Sequence, residues 1–237
     1  MGPNELTSNC AKPEKPRRKA AIREANEAAI IAAAEKLFAK HGYRGCSISM
    51  VATLAGVPKS NVYHYFDDKD ALYEKVLDRT HKWWSDAALV FDRYDNPVDA
   101  LGTYIDRKMD MSRENYYGSK VWASEVIAGA PKLRGYLETE VNDWVEKQVS
   151  QIRRWIEEGR MKPVDPLALL IMIWSTTQWY ADFECQIRIL NAGKDFDDEE
   201  FDKAKATVRE IILSGTDAIG YHRSSPYRRC ERRQWPP

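Results

Sequence analysis

Cysteine, histidine and net charge are all scarce in this 237-residue chain, and each shortage excludes something. The four cysteines, Cys10, Cys46, Cys185 and Cys230, stand far apart with no CxxC pair. Neither a disulfide framework nor a zinc site is expected. The four histidines, His41, His64, His81 and His222, show no ligand spacing. A nucleophile motif and a glycine-rich phosphate loop are missing too, so the sequence argues against an enzyme, a metal or a cofactor. No apolar run reaches the ~18 residues that a bilayer span needs. Residues 1–20 lack the apolar core of a signal peptide, and a reduced cytoplasm fits. Strand-like alternation is almost absent, which leaves an all-α chain.

Formal net charge is zero, yet the charges are unevenly placed. Residues 1–70 hold 11 Lys/Arg against 8 Asp/Glu, and 221–237 hold five Arg against one Glu. Residues 71–220 carry 20 basic against 27 acidic side chains. Basic ends on an acidic body suggest a polyanion partner at such an end.

Helices separated by Gly, Pro and Asn organise the chain. Residues 1–19, ending in KPRRK, read as a disordered basic arm. Residues 18–42 space Ile22, Ala29, Ile30, Ala33, Leu37 and Phe38 as one buried helical stripe, stopped by Gly42. Short helices follow over 47–54 and 58–64, then a long one over 68–91, one from Asn96-Pro97 to about 112, and one before the AGAP break at 128–131. The stretch from Lys132 to Gly159 reads as a single amphipathic helix. Asp165 and Pro166 start the next as N-cap and first helical residue, and it runs to about 190. Asp197 and Glu200 are spaced as a capping box for the last helix, to 220, with Phe201, Ala204, Val208, Ile211, Ile212 and Ile219 inward. The Arg-rich tail 221–237 reads as disordered.

The stretch VATLAGVPKSNVYHYFDDKDAL (51–72) is helix-turn-helix in design. Ile48, Val51 and Ala52 face inward, Gly56 permits the turn, and Pro58 opens a second helix exposing Lys59, Ser60, Asn61, Tyr63 and His64. Val51-Ala52, Ala55-Gly56-Val57-Pro58, Tyr63-His64-Tyr65-Phe66, and Lys69 with Leu72 resemble the DNA-binding domain of the TetR family of bacterial repressors. The resemblance implies a DNA-binding domain over 20–80 and an effector-binding and dimerisation domain over 81–220. It implies DNA contacts from Lys59, Ser60, Asn61, Tyr63 and His64, and a phosphate held by Lys69. The family's usual Thr at the start of the motif is Cys46 here, a weak cap. The phosphate contact of that position falls to Cys46 or Ser47.

In MIWSTTQWYADF (172–183), Trp174 and Gln178 stand four apart and share one helix face. An aromatic plane beside an amide suits a flat ligand that presents N–H next to C=O. Trp179, Tyr180 and Phe183 lie off that face. VDPLALLIMIWSTTQWYADF and IAGAPKL (127–133) resemble the pyrimidine-sensing branch of the same family. That resemblance implies uracil, thymine or a related pyrimidine as effector, bound by Trp84, Trp174 and Gln178, and release of a palindromic double-stranded operator. Trp179 and Trp122 depart from the branch's pattern, which leaves room for another planar ligand. A constitutive DNA-binding protein with a silent second domain is the competing reading. The apolar faces of the last two helices exceed what one domain can cover, so a two-fold homodimer is expected.

Overall fold

The computed structural model describes residues 15–218, and among them the chain is all-α. The helices are α1 (Lys15–Gly45), α2 (Ile48–Ala55), α3 (Lys59–Tyr65), α4 (Lys69–Ala88), α5 (Pro97–Glu114), α6 (Tyr116–Ile127), α7 (Arg134–Tyr136), α8 (Asn142–Glu157), α9 (Pro166–Asp182), α10 (Glu184–Leu190) and α11 (Asp198–Thr216). The chain divides into two compact units between Val76 and Leu77, one turn of helix before the expected boundary at 80. No helix among the described residues is long and apolar enough to cross a membrane.

The basic arm is shorter than expected, because helix begins at Lys15 rather than near residue 20. Lys, Arg and Ala are good helix formers, and KPRRKAA carries them in a run. The rest of the arm and the tail 221–237 lie outside the described residues.

In the first unit α1 buries Ile30, Ile31, Ala33, Ala34 and Phe38. Ile22, at 52% exposed, is not on that stripe, and Ala29 is also exposed. The buried face is Ile31/Ala34 rather than Ala29, a rotation of the face that periodicity alone left open. Gly42 breaks the helix as expected, with φ of 66°. Phe38, Tyr43 and Tyr73 pack ring on ring, with Phe38 and Tyr73 edge to face at 4.9 Å. This anchors the end of α1 on the start of α4.

The second unit packs α5, α8, α9 and α11 around Leu101, Ile105, Ile152, Trp155, Leu170, Ile173 and Leu213. The caps follow the sequence signals. Asn96 Oδ1 accepts from the amides of Val98 and Asp99, Asp165 Oδ1 from Ala168, and Asp197 with Glu200 forms the full capping box. Two long helices are interrupted. Residues 134–157 are a short turn, a π-helical stretch Leu137–Val141, and then α8. The helix over 166–190 breaks at Phe183, whose backbone leaves the helical region at φ −114°, ψ 25°. Ile211, expected inward, is 66% exposed, while Leu213 takes its place in the core. Ile219 lies outside the described residues.

Candidate functional site

The DNA-reading elements take shape locally. Ser47 caps α2: its Oγ accepts from the Met50 amide at 3.3 Å. Ile48, Val51 and Ala52 are buried beneath it. Gly56 closes α2 in the left-handed region at φ 68°, where its amide reaches the carbonyls of Ala52 and Thr53. A β-carbon is disfavoured in that conformation, which explains the glycine. Pro58 precedes α3, which buries only Val62 and Phe66 beside it. Lys59, Ser60, Tyr63 and His64 are exposed and Asn61 half-buried. Lys59 Nζ lies 5.8 Å from the Tyr63 ring centroid.

Two of the expected contacts are corrected. Cys46 is 2% exposed. Burial pushes its thiol up from the ordinary range, against the pull of Lys69, so it is a neutral core side chain and Ser47 takes the surface position. Lys69 does not reach outward. Its ammonium donates to the carbonyls of Tyr43 at 2.9 Å and Cys46 at 3.2 Å, and lies 4.2 Å from the Tyr43 ring centroid. It ties the carbonyl end of α1 to the start of α4. The orphan carbonyls that any helix end leaves are met here by a cation.

Trp84, Trp174 and Gln178 belong to the second unit, where α5 mediates between them. Trp174 Nε1 donates to the Tyr104 hydroxyl at 2.8 Å. One turn along α5, Lys108 is 4% exposed and its ammonium stands 3.3 Å from the Trp84 ring centroid. Gln178 is half-buried, one turn beyond Trp174, and its amide has no hydrogen-bond partner among the described residues. Another turn on, Asp182 accepts from Ser119 Oγ at 2.6 Å. Tyr104 and Lys108 therefore face Trp174 and Asp182, and Gln178 sits between the latter pair.

The electrostatics of this group follow from burial. Lys108 is pushed down to about 7 by desolvation, with Asp182 opposing. Asp182 is pushed up by burial, against the Ser119 hydrogen bond and the charges of Lys108 and Lys120. Tyr104 is pushed up by burial. Among the described residues the contact of the Lys108 ammonium is with the Trp84 ring, with no ion pair at contact distance. The Trp84 ring face and the nearby Asp182 charge are what the ammonium has in the protein. The buried Trp84 Nε1 has no hydrogen-bond partner among the described residues.

Sequence reasoning missed two contributors. Lys108 interrupts the buried face of α5 formed by Leu101, Tyr104, Ile105 and Ser112. A lysine in a helix's apolar stripe was the available signal. The second is α8, which repeats the Trp-x-x-x-Gln spacing as Trp144 and Gln148. Trp144 lies 6.2 Å from Trp174 and 5.8 Å from Tyr104, centroid to centroid. Gln148 is 1% exposed, and its Nε2 has no partner.

The remaining aromatics separate as expected. Trp179 and Phe183 stack at 3.8 Å, and each is 43% exposed, away from Gln178. Trp122 packs edge to face on Tyr136 at 5.9 Å. A separate cavity of about 420 Å³ is lined by Arg113, Tyr116, Tyr180, Arg188, Phe196 and Phe201, among others, and by none of Trp84, Trp174 and Gln178. The Trp84 face is occupied by the Lys108 ammonium rather than open. Among the described residues no group of side chains could hold a metal ion.

Comparison with known proteins matches both units. Residues 30–76 match the family described as bacterial regulatory proteins, tetR family, and residues 77–219 match the C-terminal region of YcdC-like proteins. The HTH-type transcriptional regulator RutR of Escherichia coli (strain K12) is 33% identical over 191 residues, covering 81% of this chain and 90% of that protein. Among solved structures, the transcriptional regulator SCO4942 from Streptomyces coelicolor has a TM-score of 0.60 at 21% identity, covering 81% of this chain and 98% of that one. The ketosteroid transcriptional regulator KstR2 of Mycobacterium tuberculosis has a TM-score of 0.62 at 20% identity, covering 80% and 94%. These two share the fold.

Proposed function

Because the chain belongs to the TetR family of bacterial transcriptional regulators, we propose that it represses pyrimidine-catabolism genes and leaves its operator when it binds a uracil-like base. The observation that carries the effector half is the buried group around Gln178. The Trp84 and Trp174 indoles meet Lys108 and Tyr104 of α5, and among the described residues Trp84 Nε1 and the neighbouring Gln148 Nε2 have no hydrogen-bond partner. A flat dione supplies what is missing: a π-face for the indoles and N–H beside C=O for the Gln178 amide.

On the DNA side, Ser47, Lys59, Ser60, Asn61, Tyr63 and His64 are the contacts proposed for a palindromic operator. Lys59 and Ser47 meet phosphate, while the exposed face of α3 reads the major groove. A second copy of the chain supplies the other half-site. The stripe Leu167, Ile171, Met172, Trp179 and Phe183 on α9 and its end, each 43–51% exposed, supports that pairing. Trp84 and Lys69–Val76 share α4, so a base settling on Trp84 acts on the helix that also carries the Lys69 tie.

Indole emission tests the effector reading. Titration with uracil should quench tryptophan fluorescence saturably, and Gln178→Ala should abolish the quenching. A flat titration with uracil, thymine and dihydrouracil alike would reject a pyrimidine effector.

A further inference from the structure

Resting on the proposed uracil-like effector, we propose that Lys108 is a further effector-binding residue: the base takes its place on Trp84, its ammonium moves to a carbonyl oxygen of the base, and binding takes up a proton from the buffer.

The geometry makes the exchange necessary. The ammonium stands 3.3 Å from the Trp84 centroid, the height at which a stacked base would lie. Base and ammonium cannot share that face. Lys108 is 4% exposed and sits on the core side of α5 between Tyr104 and Ser112. Lysine donates and never accepts. The group it moves to must be an acceptor, and the incoming base brings two carbonyl oxygens.

Two acceptors face Lys108, each already engaged by another donor, and neither holds the ammonium. Asp182 on α9 acts on it through space only, and its Oδ1 is held by Ser119 of α6 at 2.6 Å. The Tyr104 hydroxyl, one turn away on α5, accepts from Trp174. Trp84 of α4 offers only its ring face. Lys120 of α6 carries the same charge as Lys108 and is engaged by the Tyr116 hydroxyl at 2.6 Å.

Proton uptake follows. Without effector, Lys108 is held down at about 7 by desolvation, so much of it is neutral in slightly alkaline buffer. A carbonyl acceptor favours the charged form. The bound state therefore holds more proton than the free state above pH ~7, and base affinity falls as pH rises through that range. Below that pH the lysine is charged in both states and the linkage vanishes.

Calorimetric titration of the full-length protein with uracil at about pH 8 tests this. It is run in two buffers of different ionisation enthalpy, phosphate and Tris. Wild type should show an uptake of several tenths of a proton, and its affinity should fall by up to ~10-fold per pH unit above neutrality. Lys108→Met should lose the uptake and bind uracil at least ~10-fold more weakly. Lys108→Arg keeps a charge that cannot be lost at these pH values, so it should bind with no proton change. Equal heats in both wild-type buffers overturn the proposal, whether or not either variant folds. Uptake that survives in Lys108→Met or Lys108→Arg overturns it too, as does undiminished uracil affinity in Lys108→Met. If wild-type protein gives no uracil heat or quenching at all, the effector reading fails first and takes this inference with it.

Discussion

Each unit holds a lysine against an aromatic ring, and the two are used in opposite ways. Lys69 of the first unit lies over Tyr43 and spends its protons on two backbone carbonyls. Lys108 of the second lies over Trp84, more deeply buried, with no carbonyl or carboxylate at hydrogen-bonding distance. The first charge is satisfied and holds a helix end in place. The second rests on a ring face alone, and the proposed effector would bring it an acceptor. A completed hydrogen-bond set fits a scaffold role, and an incomplete one asks for an explanation, which the proposed effector supplies.

The largest expected effect removes the receptor's reader and spares the scaffold. Gln178→Ala should abolish the effect of uracil on operator binding while leaving operator affinity within about 3-fold of wild type. Loss of both together would show that Gln178 supports the fold rather than the ligand. Next, the two lysines should respond to the same change with opposite signs. Lys69→Met should destabilise by about 2 kcal/mol, because two carbonyls lose a charged donor. Lys108→Met should stabilise by roughly 1–4 kcal/mol, as apolar replacement of a poorly satisfied buried ion does. Chemical denaturation reads both, and equal signs would break the comparison.

pH sharpens the contrast. The folded Lys108 sits at about 7 against an ordinary 10.5. Between those values the unfolded chain binds more protons, so this residue makes stability rise with pH across that window. Lys108→Met should flatten that rise in thermal melts compared between about pH 7 and about pH 10. A rise of unchanged slope would move the effect elsewhere. The smallest effects belong to the reading motif. Gly56→Ala should cost about 1–2 kcal/mol for a β-carbon in the left-handed region, and Ser47→Ala about 1 kcal/mol for a lost cap.

The same contrast explains what the sequence made legible. The helix-turn-helix is local: Gly56, Pro58 and the Val51-Ala52 pair each declare their role within a few residues, and the structure follows them. Caps at Asn96, Asp165 and Asp197 are local as well. Lys69 was assigned a phosphate by the family resemblance, and nothing local in the sequence shows the carbonyls 26 and 23 residues away that it meets. Lys108, in DRKMD, reads as a solvated charge unless its place in the apolar stripe of α5 is noticed. The π-helical stretch at 137–141 and the break at Phe183 carry no proline or glycine to announce them. Gln178 stands out because its aromatic neighbour is on the same helix; Trp144 and Gln148 repeat that spacing on α8, and only the ring contact between Trp144 and Trp174 ties them to the same group.

The most direct measurement is fluorescence anisotropy of a labelled operator, chosen by the protein from a random DNA pool, with and without saturating uracil. The account predicts that uracil weakens operator binding by about 5- to 150-fold, the range of ordinary allosteric coupling, while buffer alone changes nothing. Operator affinity that is identical with and without uracil, thymine and dihydrouracil would contradict it.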